Sequence, residues 1–482
     1  MEPYYRKFYT LNVPDDATKQ HLGLDYITDE DRKATGPIQL SYTGVVQDPL
    51  SKAWVETFKG IKRGMAGDPF SGHSVGGYSN AATVDPVSKT RSYAASAYYA
   101  PSTQRPNLNV IVEAQVQSIG FTQGGNGMVA NTVRFMCQGK PCTVDVRKEV
   151  IVAAGTFQSP KILELSGIGG SHLLEPLGIP VVIDNPNVGE NLQDHLMTGV
   201  SFEVNEGVMT GDSLMRQDPE AIQAAIQMYQ EYKAGPMTVG GVASHAFMPM
   251  IDLDPATGKS ADLKDLFEQF PPGPDNKVQY EATRQVIEAP NEGAGALFMF
   301  LAQTNLHNDD SAKDYLQNLQ PGNFISLGAS QSHVFSRGTS HIVSNKVSDP
   351  PRIDPRYLSH PLDIEPFARH VQFLEQLARS PPLSTYLKPS GKRNHSTAYV
   401  EDLEAAKDYV RTTALSNYHP AGTCAMLPRS EGGVINNRLI VYGTTNVRVV
   451  DASIMPIIPR GNPQSTVYAV AEKAADLIKG DY

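Results

Sequence analysis

Two runs near one end of the chain hold side chains suited to proton transfer beside a resting place for an anion. His419 lies in Tyr418-His419-Pro420-Ala421-Gly422-Thr423-Cys424-Ala425-Met426, and Gly461-Asn462-Pro463-Gln464-Ser465-Thr466 follows. Imidazole changes charge near neutral pH, so a neutral histidine can take the proton of a hydroxyl. Stripped of its surroundings, His419 is better read as a buried, hydrogen-bonded core histidine. Three strand-to-turn-to-helix junctions, at Ala153–Thr156, Asp451–Ser453 and Gly461–Thr466, could each offer free N–H groups and a positive dipole end to a phosphate. Taken singly, each is an ordinary α/β turn.

The three cysteines, Cys137, Cys142 and Cys424, have no metal-ligand spacing and supply no disulfide framework. Cys137 and Cys142 flank a hairpin turn; two free thiols are expected there, with a cross-strand disulfide as the alternative for a secreted chain. Cys424 has no neighbouring base to activate it and is expected to pack behind His419. A formal charge of −10 over 482 residues, without a Lys/Arg stripe, argues against a nucleic-acid partner. No apolar run approaches the roughly 20 residues that span a bilayer. Residues 1–8 do not have the form of a signal peptide, and Asn394-His395-Ser396 is a lone glycosylation triplet.

The elements that must position these residues follow from periodicity and breakers. Strands are expected at 36–46, 108–122, 129–135 and 143–146, the last three forming a meander with tight turns at 124–127 and 138–141. Lys148–Gly155 reads as a buried strand leading into a helix from Thr156 to Leu165, with Ser159-Pro160 as its cap and first-turn proline. Further helices are expected at 218–233, 362–379, 399–413 and 465–478, a strand at 447–453, and Pro-rich loops at 271–274 and 349–355.

Gly155-Thr156-Phe157-Gln158-Ser159-Pro160-Lys161-Ile162-Leu163-Glu164-Leu165-Ser166-Gly167-Ile168-Gly169 resembles a signature of the glucose-methanol-choline (GMC) oxidoreductases, fungal type, across its whole length. Asn187-Val188-Gly189-Glu190-Asn191-Leu192-Gln193-Asp194-His195, Tyr93–Tyr99 with Arg105–Leu108, and the block from His419 to Leu477 resemble other segments of that family, in family order. The resemblance implies an α/β fold: an FAD/NAD(P)-binding-type flavin domain at 81–200 and 421–482, a connecting segment at 1–80 that also forms part of the substrate domain, and an α+β substrate domain at 201–420 with an antiparallel sheet. It implies FAD as cofactor and oxidation of a CH–OH group, His419 taking the alcohol proton as hydride passes to flavin N5. Asn462 stands where the family has His or Asn, and its amide would hold the substrate oxygen. Val116 would lie at the adenine, Asp451 and Ala452 at the pyrophosphate and ribityl chain, and Asn462, Pro463 and Thr466 near the isoalloxazine. The partners implied are a small-molecule alcohol and O2, a quinone or a dye as electron acceptor, with no metal, no nucleic acid and no membrane. His195 is expected to brace the two domains. His73, His245, His333, His341 and His395 are expected to be ordinary histidines, and Phe247, Met248 and Met250 are pocket or core.

One departure is plain. The family's opening strand–Gly-x-Gly-x-x-Gly–helix unit has no counterpart here, and residues 1–8 resemble a segment that lies after it, so the flavin domain is expected to lack its first βαβ unit. Two alternatives to alcohol oxidation therefore stand: a non-redox cyclase of secondary metabolism, and a truncated, non-catalytic fragment.

Overall fold

The computed structural model describes residues 1–28, 33–42, 49–65, 67–72, 74–239, 241–250, 263–273, 276–306 and 319–481. The apolar run before Gly155 forms the strand Val150–Val152, paired in parallel with Val447–Val449 in the register Val150↔Val447 to Val152↔Val449. The helix Gly155–Leu165 follows one strand, and a turn at Asp451–Ile454 follows the other. Val152, Leu163, Val447, Val449 and Ile454 share one core with Ile119 of the meander and Val470 of the C-terminal helix Gln464–Asp481. This parallel pairing sets the two junctions side by side.

The meander consists of Ala114–Gly124, Gly127–Cys137 and Lys140–Asp145, all antiparallel. Its first strand starts at Ala114, later than expected: Val110, Ile111 and Val112 are β-branched but have no strand partner among the described residues and are more than half exposed. β-Branching favours extended backbone only where a neighbouring strand can be packed against. Cys137 pairs with Lys140 and Cys142 with Phe135, so the register does not set the cysteines opposite one another, and both thiols are free.

The other main unit is a five-stranded antiparallel sheet in the order Ser244–Met248, Gly295–Phe300, Phe324–Gln331, Leu196–Glu203, Leu415–Ser416. It begins at Leu196, before residue 200. The amphipathic helices Ile364–Arg379 and Leu403–Thr413 and the helix Leu50–Gly60 cover it. Trp54 is fully buried there with its Nε1–H on the carbonyl of His245 at 2.9 Å. Burying an indole of that size contributes on the order of 4–6 kcal/mol. Phe298 lies across Gly328, where a Cβ would come within 2.2 Å of its ring. Near the start of the chain, Tyr9–Asn12 pairs in parallel with Ile38–Ser41 over a small aromatic core.

Four sequence expectations are corrected. Residues 349–355 are not all loop, because Arg352–Asp354 pairs antiparallel with Thr339–His341 as a short strand between prolines. Ser159-Pro160 is not a cap and first-turn pair: Ala154 caps the helix and Pro160 stands inside it. The 447–453 strand stops at Val449, and the chain turns behind the Asp451 cap. The 399–413 helix starts later, at Leu403, behind the Asp402 cap. Residues 43–46 of the first expected strand, Pro274 and His73 lie outside the described residues.

Candidate active site

Pro160 has no N–H and leaves the carbonyl of Thr156 without its helical donor. The Thr423 hydroxyl fills that role at 2.5 Å, while the Thr156 hydroxyl donates to the Pro420 carbonyl at 2.8 Å. Two reciprocal bonds thus tie the first turn of the Gly155 helix to the residues just after His419. Asp451 ties the same turn to the second strand: its Oδ2 accepts from the Gly155 N–H at 2.9 Å and the Ser159 hydroxyl at 2.5 Å, and its Oδ1 from the Ser453 N–H at 2.8 Å.

His419 is held from behind by Gln193-Asp194-His195. Gln193 and Ala421 exchange backbone hydrogen bonds of 2.9 and 2.8 Å, and the Asn417 N–H donates to the His195 carbonyl at 2.8 Å. Gly422 takes φ +101, and a Cβ there would come within 2.4 Å of the Asn191 carbonyl, so only glycine lets the two segments close. The Asp194 carboxylate accepts the His419 N–H at 3.0 Å, the Tyr357 hydroxyl at 2.6 Å and the Ser416 hydroxyl at 2.5 Å. Tyr418 stands in the left-handed region at φ +60, and its N–H reaches the same Ser416 hydroxyl at 2.9 Å. Positive φ in a tyrosine costs on the order of 1–2 kcal/mol, offset by these bonds and fixing the ring of His419.

The imidazole of His419 sits between two partners. Its Nε2 is 3.0 Å from Asn462 Nδ2, and its Nδ1 is 3.0 Å from Nδ1 of His195. His195 is fully buried, with Nε2 3.0 Å from the Ser332 carbonyl, and the two rings stand edge to face. Burial lowers His419 to about 4 and His195 to about 3, the latter also through the neighbouring imidazole. Both rings are therefore neutral at physiological pH.

His419 and Asn462 open onto a cavity of about 1180 Å³. Gly155, Thr156, Ala452, Pro463 and Gln464 line one part of it, and Phe298, Phe300, Met237, Ser326 and His245 another. Gly155 stands at φ +82 with open space where a Cβ would be. Among the expected site residues, His419, Asn462, Ala452 and Pro463 thus meet at one cavity. Asp451, Val116 and Thr466 are not among its lining residues: Asp451 braces the turn behind it, Val116 pairs with Phe135 in the meander, and Thr466 Oγ1 hydrogen-bonds Tyr5 Oη at 2.8 Å. Of Phe247, Met248 and Met250, none lines the cavity, and the two methionines are core. His245, expected to be unremarkable, lies in the cavity wall and is lowered to about 4 by burial. Sequence reasoning also missed the contact of His195 with His419, whose one sequence signal is a polar Asp194-His195 pair at the entry to a strongly apolar strand.

Among the described residues there is no cluster of three or more His, Cys, Asp or Glu suited to a metal, and no helix long and apolar enough to cross a membrane.

The N-terminal family model of the GMC oxidoreductases matches residues 15–197, and the C-terminal model matches 334–471. The GMC oxidoreductase family protein Mala s 12 of Malassezia sympodialis is 32% identical over 456 residues, covering 93% of this chain and 68% of the relative. Dehydrogenase mpl7 of Monascus purpureus is 34% identical over 464 residues, covering 92% and 72%. Patulin synthase of Aspergillus clavatus is 31% identical over 455 residues, covering 92% and 66%. Among solved structures, an FAD-dependent oxidoreductase of Chaetomium thermophilum superposes with a TM-score of 0.82 at 27% identity, covering 99% of this chain and 80% of the other. A fungal aryl-alcohol oxidase superposes with a TM-score of 0.79 at 26% identity, covering 99% and 78%. With both family models matched on either side of one cavity, the chain belongs to the GMC oxidoreductase family.

Proposed function

We propose that the chain is an FAD-dependent oxidoreductase of alcohols, with His419 as the base and Asn462 as the group that orients the substrate oxygen. The observation that carries this reading is the placement of the His419 ring at the cavity wall with Nε2 beside Asn462. Two features of the cavity fit a dinucleotide. Its volume exceeds what a small alcohol needs. Gly155 leaves open space at the start of one helix, and Pro463 and Gln464 lie at the start of another. Gly155, Thr156, Ala452 and Pro463 would hold FAD, with Asp451 bracing the turn from behind; Val116 and Thr466 remain proposed contacts by family resemblance. When bound, FAD supplies the two-electron acceptor for the hydride of the carbinol carbon.

The protein's own residues do the rest. Asn462 donates a hydrogen bond to the hydroxyl oxygen, which fixes the direction of the C–H bond. The O–H bond breaks toward His419 Nε2, which gains the proton as the carbinol becomes a carbonyl. Phe298 and Phe300 offer an apolar wall to the rest of the substrate. O2, a quinone or a dye is the electron acceptor in this reading. The division into a flavin domain (81–200 and 421–482), a segment at 1–80 that connects and forms part of the substrate domain, and a substrate domain (201–420) is supported by the separate cores of the parallel pair and the antiparallel sheet, the latter including Trp54 and Phe58.

The test is a visible spectrum of purified protein reconstituted with FAD. A flavin band that bleaches anaerobically on addition of a primary aromatic or aliphatic alcohol is expected. A bound flavin that no alcohol in a broad panel bleaches would overturn the reading.

A further inference from the structure

His195 was expected only to brace the domains, yet its ring is placed where it decides on which nitrogen His419 carries its proton. A carbonyl oxygen can only accept a hydrogen bond, so the contact of 3.0 Å between His195 Nε2 and the Ser332 carbonyl places a proton on Nε2. A neutral imidazole carries one N–H. With Nε2 protonated, Nδ1 of His195 is a lone pair. That lone pair lies 3.0 Å from Nδ1 of His419, and two facing lone pairs at that distance repel, so His419 must carry its proton on Nδ1. His419 Nε2 is then left unprotonated, and the 3.0 Å contact from the Asn462 amide nitrogen agrees, since an NH2 can only donate.

We infer that His195 is a positioning residue for the base, a tautomer lock that runs from the Ser332 carbonyl through two imidazoles and leaves His419 Nε2 unprotonated at the cavity wall, where its lone pair accepts from the Asn462 amide until a substrate hydroxyl takes that place. The alternative tautomer of His419, with Nε2–H, could not accept a proton from a substrate hydroxyl. The lock has a second consequence. When His419 gains a proton on Nε2, its Nδ1–H remains bonded to an imidazole that can accept it, so the positive charge is shared with a second ring. No protein carboxylate is hydrogen-bonded to either ring among the described residues; Asp194 serves the backbone of His419 instead. The nearest charge that orients a catalytic histidine in a Ser-His-Asp triad is thus replaced here by a neutral ring and a carbonyl.

This inference rests on His419 being the base, but its test does not require turnover. The measurement is two-bond 1H–15N correlation NMR of the histidine rings at pH 7 in 15N-histidine-labelled protein, with His419 and His195 assigned by single substitutions. The expected spectrum shows His419 with Nδ1 protonated and Nε2 unprotonated, and His195 with the opposite tautomer. His419 protonated on Nε2, or exchanging between tautomers, would overturn the lock even if His419→Ala proves it to be the base. Two variants add a functional readout. His195→Phe keeps the volume and removes the acceptor; it should mix the tautomers of His419 and slow anaerobic flavin reduction by about 10- to 100-fold, with the substrate affinity unchanged. His195→Asn returns an oxygen near the position of Nδ1 and should restore the Nδ1–H tautomer and most of the rate. A His195→Asn protein as slow as His195→Phe, with His419 still protonated on Nδ1, would reduce His195 to a structural role. Should His195→Phe fail to fold, the wild-type tautomer and the Asn variant decide the matter.

Discussion

Thr423→Val removes one hydroxyl and nearly no volume, yet it should loosen the turn that carries the site. In the native chain that hydroxyl is the donor to the Thr156 carbonyl, freed because Pro160 cannot donate from inside the helix. A buried carbonyl left without a partner costs about 1–3 kcal/mol. The cost depends on Pro160. In a Pro160→Ala background the new backbone N–H can reach the Thr156 carbonyl, so the same substitution should cost less than about 0.5 kcal/mol. Hydrogen–deuterium exchange of the peptide covering 155–166 reads this locally, without requiring the whole chain to unfold in one step. Thr423→Val alone should lower protection by about 5- to 150-fold, the rate equivalent of that cost. The double variant should stay close to Pro160→Ala. Equal loss in both backgrounds would refute the reasoning, because it would mean the hydroxyl does not stand in for the missing N–H.

Two further predictions concern pH. Because burial lowers His419 to about 4, the base stays unprotonated well below neutrality, so flavin reduction should hold its rate on acidification and fall only as pH approaches about 4; a fall centred near 6.5 in the rate profile contradicts this. His341 is hydrogen-bonded to Glu164 at 2.7 Å and Glu190 at 3.1 Å, and its pKa is raised to about 9. A folded-state value above the unfolded value of roughly 6.5 adds stability that is complete below 6.5 and lost as pH rises through 9. The melting temperature of the native chain should therefore fall between those limits relative to His341→Gln, and parallel curves would disprove the pairing.

Much of this architecture was legible in the residues, for reasons that differ by element. The 155–165 helix and the tight-turned meander declare themselves locally, through small residues, glycine turns and β-branched runs. His419, Asn462, Ala452 and Pro463 could be named because two motifs carry them, and one cavity collects them. What stayed hidden depends on distant partners. Val110–Val112 has strand composition but no strand partner among the described residues, so composition misled. Arg352–Asp354 was obscured by flanking prolines, although a short edge strand tolerates them. The proline inside the 155–165 helix looked like a start signal because its compensation, Thr423, lies far along the chain. His195 reaches His419 across 224 residues, and no local pattern reports such a contact.

The central claim is that His419 Nε2 takes the proton of an alcohol at this cavity. Anaerobic stopped-flow reduction of the FAD-loaded protein by an alcohol that bleaches the native flavin tests it most directly, comparing the native chain with His419→Ala. Loss of a positioned general base should slow reduction by about 10²- to 10⁴-fold while FAD remains bound. A His419→Ala protein that reduces its flavin at the native rate would contradict the account.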